Sequence, residues 1–135
     1  MPNAFVYDME GNKIMLGKGR LTEHFTRSEF DCQCGCGTGE ISMELVQLLE
    51  LTRLEYDKPM RINSGIRCLN HNRSIGSRDT SSHIKCLAAD VGCTDMGERH
   101  KLLQILLKHF DRVGLHKKFI HVDVDTEKPN GVFVY

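Results

Sequence analysis

Apolar residues in this chain fall into two helical stripes and several short alternating runs. Leu45, Leu48 and Leu49 recur at helical spacing, and Leu51 and Leu54 widen the same face. Ser42 stands where an N-cap belongs, Glu44 lies in the first turn and Pro59 forbids continuation, so the pattern predicts a helix ending near Tyr56. A second stripe of Leu102, Leu103, Leu106, Leu107 and Phe110 follows Asp95 and Glu98, which have capping-box spacing. Val113-Gly114 is read as the close of that helix.

Period-two alternation marks the strands. From Lys118 to Val124, Phe119, His121 and Asp123 fall on one face, and Ile120, Val122 and Val124 on the other. Met60-Arg61-Ile62 and Leu87 to Val91 predict short strands, Asn63-Ser64-Gly65 a turn, and Val132 to Tyr135 a last strand at an edge. Ala4 to Tyr7 and Lys13 to Leu16 flank Asp8-Met9-Glu10-Gly11-Asn12 and predict a hairpin with a glycine-containing turn. Phe25 and Phe30, isolated in a polar stretch, are expected to plug the core. Cys68 to Ser82 reads as an irregular loop, and so does the Cys- and Gly-rich segment Cys32 to Gly39. Helices interleaved with short strands, without a regular βαβ rhythm, predict an α+β fold in one domain covering residues 1–135.

Charge narrows the partners. Eighteen Lys and Arg balance eighteen Asp and Glu, which argues against nucleic acid, because phosphate binding needs a basic surplus. The basic stretch Arg112 to Lys118 reads as a solvated face. No apolar run reaches the roughly 18 residues of a membrane span. Met1-Pro2-Asn3-Ala4 lacks the basic and apolar regions of a signal, so synthesis in a cytoplasm is expected, and the protein is expected to be a monomer. Six cysteines then default to reduced thiols. Cys32-Gln33-Cys34-Gly35-Cys36 lacks the Cys-x2-Cys spacing of a zinc knuckle, so structural thiols or a disulfide are favoured there. A metal held by Cys32, Cys34 and Cys36 is the alternative.

The chemistry-bearing residues are dispersed. His83 and Asp90 are too far apart for one helical face and suit a loop ligand joined to a strand ligand; His121 lies on a different strand. Two imidazoles and a carboxylate are what a catalytic zinc needs when it keeps a fourth position open for water. Asp123 shares the His121 side of its strand and can orient that ligand or accept a proton. His116, after a turn at Gly114, is the candidate general base. Arg67 can clamp a substrate carboxylate or brace a loop by pairing with an acid, and Ser81 can hold a substrate backbone group. His24, His71, His100 and His109 read as surface or capping residues.

Four pieces in order resemble the zinc D-Ala-D-Ala carboxypeptidase family, peptidase family M15, whose wider superfamily includes the hedgehog domain. They are Phe25 with Ser28-Glu29-Phe30 and Cys32 to Gly37; Arg61 to Cys68 followed by Asn72 and Gly76; Ser81-Ser82-His83 through Asp90; and Gly114-Leu115-His116 with Phe119 to Asp123. The resemblance covers about Leu21 to Asp125, closest to the small enzymes among phage endolysins. It implies a small antiparallel sheet with flanking helices, zinc on His83, Asp90 and His121, and substrate at Arg67 and Ser81. The implied activity is cleavage of bacterial peptidoglycan peptides, at the D-Ala-D-Ala bond or within the stem or cross-bridge, after phage-type release to the wall. A non-catalytic zinc domain that binds wall peptide or a protein is the alternative. Three departures stand out. Cys86 replaces a common glycine and brings a thiol that can compete for zinc. Lys118 sits where some relatives carry an acidic base. His116 stands where close relatives often carry tyrosine.

Overall fold

The computed structural model describes residues 4–7, 9–10, 13–17 and 19–135, the segments 4–7 and 13–17 as backbone only. Strands β1 (Ala4–Tyr7) and β2 (Lys13–Gly17) pair antiparallel, as expected for the arms of a hairpin. Asp8, Gly11 and Asn12 of the expected turn lie outside the described residues.

Helix α1 (Met43–Tyr56) starts where Ser42 Oγ accepts the Leu45 amide at 3.3 Å, and it ends at Asp57 in the left-handed region. It buries Leu45, Val46, Leu49 and Thr52, whereas Leu51 and Leu54 point to solvent, so the apolar face is narrower than the leucine pattern suggests. Helix α3 (Met96–His109) starts at Asp95, whose carboxylate accepts the Glu98 amide at 2.9 Å. The return half of the capping box is absent, because the Glu98 carboxylate instead binds Tyr56 and Lys58. Leu102 and Leu106 face α1; Leu107 is exposed. Each fully buried leucine contributes about 1.5–3 kcal/mol. The exposed Lys108–Glu55 pair contributes below about 1 kcal/mol, so packing holds the helices together.

The main sheet contains β3 (Arg61–Ser64), β4 (Ala88–Gly92), β5 (Arg112–Leu115), β6 (Phe119–Asp123) and β7 (Gly131–Val134), in the order β3-β4-β6-β5-β7. Pairing is antiparallel from β3 to β5, and β7 adds a parallel edge to β5. Ala89 and Val91 of β4, Val113 of β5 and Ile120 and Val122 of β6 join Leu45, Leu102, Phe25 and Phe30 in the core under the helices. The alternation read in β6 therefore holds, and His121 and Asp123 lie on the opposite face. Phe25 and Phe30 plug the core as expected, with ring centroids 5.8 Å apart.

Three segments differ from the sequence reading. Asn63 and Ser64, expected in a turn, lie in β3, where Ser64 pairs with Asp90 of β4. Val113-Gly114 does not merely close a helix; it lies inside β5, because β6 offers it a pairing edge. Within Cys68 to Ser82 a short helix, α2 (Leu69–Ser74), replaces irregular loop. It has no apolar stripe to announce it. Its signal is the cap, where Cys68 Sγ accepts the His71 amide at 3.3 Å. Among the described residues no helix is long and apolar enough to cross a membrane.

Candidate metal centre

Register across the sheet builds the site. Ser64 of β3 opposes Asp90 of β4, Asp90 opposes His121 of β6, His121 opposes Gly114 of β5, and Gly114 opposes Phe133 of β7. One row thus runs from a hydroxyl through a carboxylate and an imidazole to an aromatic wall. Gly114 is needed for space: a Cβ there would collide with the Phe133 ring. His83 reaches the row from the loop before β4.

His83, Asp90 and His121 are buried, and their donor atoms lie within 4.8 Å of one another. Asp90 Oδ1 is 3.2 Å from His83 Nε2 and 3.0 Å from His121 Nδ1. Ligands at about 2.0–2.1 Å from a tetrahedral zinc stand about 3.3–3.4 Å apart, so the spacing fits such an ion. The outer nitrogens settle the tautomers. His83 Nδ1 lies 2.7 Å from the Gly65 carbonyl oxygen, which only accepts, so Nδ1 donates and Nε2 presents a lone pair. His121 Nε2 lies 2.7 Å from Asp123 Oδ2 and donates to it, so Nδ1 presents the other lone pair. Two lone pairs therefore converge on a carboxylate oxygen, an arrangement that repels unless a cation or proton lies between.

The electrostatics agree. Burial alone would push the Asp90 carboxyl up, yet the facing imidazoles of His121 and His83 hold it well below the usual carboxylate range. Burial alone would lower the His121 pKa, yet Asp123 and Asp90 raise it above the ordinary histidine value. Positive charge is favoured at this point.

Arg67 braces Asp90. Its Nη2 donates to Asp90 Oδ2 at 3.1 Å, its Nε to Ser64 Oγ at 3.0 Å and its Nη1 to Asn72 Oδ1 at 3.3 Å. Asn72 is fully buried and anchored on the Arg78 carbonyl, which explains why the chain forms α2 here. Ser81 Oγ accepts the His83 amide at 3.2 Å. Arg67 and Ser81 also line a cleft of about 590 Å³ above the cluster, with Arg78, Arg112, Phe133 and Tyr135.

Asp123 sits beside His121 as its strand position requires. Its Oδ2 also accepts Arg112 Nε at 3.0 Å, and its Oδ1 accepts the Asp125 amide at 3.1 Å. His116 is not one of the clustered donors. It stacks on Phe119 at 4.2 Å and meets the Tyr135 ring edge-on, and its Nδ1 accepts the Lys118 amide at 3.1 Å. Cys86 is outside the cluster too. Its thiol lies beside Gly39, where an added Cβ would come within 2.8 Å of the sulfur, and it is not grouped with the three donors.

The Peptidase M15 family model matches residues 23–123. This chain belongs to the M15 family. M15 peptidases are metallopeptidases, and the convergent donors of His83, Asp90 and His121 give this M15 chain a possible metal site. No curated protein matches the chain.

The sequence reading missed four supports of the M15 site. Gly65 serves through its backbone, which no side-chain pattern reveals. Arg112 was assigned to a solvated face, but it pairs with buried Asp123 and lies over the Phe133 ring at 4.7 Å. Asp125 accepts Ser82 Oγ at 2.7 Å and Lys85 Nζ at 3.1 Å, which ties the ligand loop to the end of β6. Its period-two spacing from His121 and Asp123 was the available signal. Phe133 and Tyr135 form the aromatic wall, and their role depends on β7 joining the edge.

Proposed function

We propose that this chain is a zinc-dependent peptidase that cleaves peptides of bacterial peptidoglycan, working as one domain over residues 1–135. The observation that carries the reading is the convergence of two imidazole lone pairs and one carboxylate at the floor of a cationic cleft. Zinc held by His83, Asp90 and His121 would supply a water acidified to a pKa of about 7 and a Lewis acid for the scissile carbonyl.

The remaining roles belong to the protein. Asp123 fixes the His121 tautomer. Both its oxygens are already engaged, which supports orientation over proton acceptance. Because Nδ1 of His116 accepts the Lys118 amide, neutral His116 carries its proton on Nε2. That supports a donor to the carbonyl oxygen or leaving amine, the reverse of the general base that sequence position suggests. Arg67, Arg78, Arg112 and Lys128 all line the cleft. This cationic lining favours a peptide with a free carboxylate, hence carboxypeptidase action, with Ser81 beside the substrate backbone. Access to the wall follows the manner of phage endolysins.

The test is digestion of purified peptidoglycan with and without a chelator, with new termini identified by mass spectrometry. Release of single terminal residues is expected, abolished by chelation and by His83→Ala. Cleavage that survives both would end the zinc mechanism.

A further inference from the structure

A second group of metal-ligating atoms lies outside the cleft. Cys32, Cys34, Cys36 and Cys68 are free thiols whose sulfurs all lie within 4.8 Å of one another. Cys32 Sγ is 3.4 Å from Cys34 Sγ, and Cys34 Sγ is 3.6 Å from Cys68 Sγ. Four sulfurs at about 2.3 Å from a tetrahedral zinc stand about 3.8 Å apart, so small adjustments seat the ion. Cys68 is the residue the sequence could not add to the crowded triplet, since it lies 32 positions beyond Cys36.

The backbone is shaped for convergence. Gly35 and Gly37 flank Cys36 with φ of 80° and 69°, and a Cβ at either would meet nothing within 4 Å. Space does not require glycine there; the left-handed turn does. The Gly35 amide donates to the Cys32 carbonyl at 3.0 Å and closes the turn that aims these sulfurs at one point. Donors then surround the sulfurs. The Cys68 amide donates to Cys32 Sγ at 3.3 Å, and the His71 amide to Cys68 Sγ at 3.3 Å. The Thr38 hydroxyl lies 3.0 Å from Cys36 Sγ. Such contacts stabilise thiolates, the form that binds metal.

We propose that Cys32, Cys34, Cys36 and Cys68 hold a second zinc ion, with all four ligands from the protein and hence a structural role. The site fastens the loop after Phe30 to the segment that leaves β3. Those segments already meet through the Ile66 amide on the Phe30 carbonyl at 2.7 Å. Cys68 directly follows Arg67, so the second ion would hold in place the guanidinium that braces Asp90. The proposal does not depend on the peptidase reading.

Metal counting by native mass spectrometry under reducing conditions, with zinc as the only added metal, tests it. Two zinc ions per chain are expected for the unaltered protein. One is expected for His83→Ala and one for the Cys34→Ser/Cys36→Ser variant, whose altered thiols are exposed. Cobalt loaded into His83→Ala should give thiolate charge-transfer absorption in the near ultraviolet, because the cleft cluster contains no sulfur. This readout decides the matter even if the double-serine variant fails to fold. A single zinc in the unaltered chain that is lost in His83→Ala overturns the proposal. So does a cobalt complex of His83→Ala without thiolate absorption, or a mass deficit from disulfides among these cysteines that persists under reduction.

Discussion

Arg67 and Asp90 meet at 3.1 Å, with the guanidinium on one carboxylate oxygen while the other faces both imidazoles. The pair divides the carboxylate into an anchored half and a free half. Both partners are largely withdrawn from water, so removal of one leaves a buried charge uncompensated. Arg67→Ala should lower zinc affinity about ten- to a hundredfold, the usual cost of losing a ligand's orienting partner. Competitive chelator titration measures this. Unchanged affinity with a raised KM would instead assign Arg67 to substrate alone.

Gly65 works twice. Its carbonyl orients His83, and a Cβ on it would lie 2.8 Å from both the Cα and the carbonyl oxygen of Phe30. Backbone cannot swing aside as a side chain can. Gly65→Ala should destabilise the fold by about 1–3 kcal/mol and weaken zinc binding together. Denaturant unfolding of the metal-free and loaded protein checks both effects.

The pH dependence of the metal-free chain follows from Asp90 and His121. The Asp90 pKa is depressed in the fold, so its stabilisation is present above about 3.9 and disappears as pH falls through the folded value. The His121 pKa is raised, so its stabilisation is full below about 6.5 and is lost as pH rises through the folded value. The metal-free melting temperature should therefore decline above about pH 6.5. Zinc requires the neutral imidazole, so the increment on loading should grow over the same range. Thermal melts across pH, with and without chelator, would show two diverging curves. Parallel curves would contradict this account of His121.

Cys86 adopts φ of 62°, a conformation that disfavours side chains by roughly 1–2 kcal/mol. The resemblance places glycine there in relatives, and the backbone supplies the reason. Cys86→Gly should leave zinc stoichiometry unchanged and alter stability by less than about 1 kcal/mol, as relief of strain offsets the lost thiol packing. Metal counting and a melting curve test the two halves. Loss of a zinc ion would mean that the Cys86 thiol is a ligand.

Secondary structure was legible wherever a periodic pattern met a cap. Ser42 and Asp95 start the two long helices at their expected positions, and β6 alternates as its residue types dictate. Where the cause was tertiary, the reading failed. Helix α2 has no apolar stripe and exists to bring buried Asn72 to Arg67. Strand β5 was hidden behind the end of α3 because its pairing partner is β6.

Residue types made His83, Asp90 and His121 candidate ligands beside the reading of Asp90 as a strand-end carboxylate, and the four motifs that resemble M15 decided between the two. Sequence also carried the two-sided character of β6 and the glycines of the cysteine loop, because periodicity and backbone freedom are local. Only the folded chain decided which nitrogen of each histidine faces inward, that Arg67 binds Asp90, that His116 stacks on Phe119, and that Cys68 joins three distant thiols. Those are contacts between segments far apart in the chain. Strand register and packing set them, and no local pattern encodes a distance between side chains that meet only after folding.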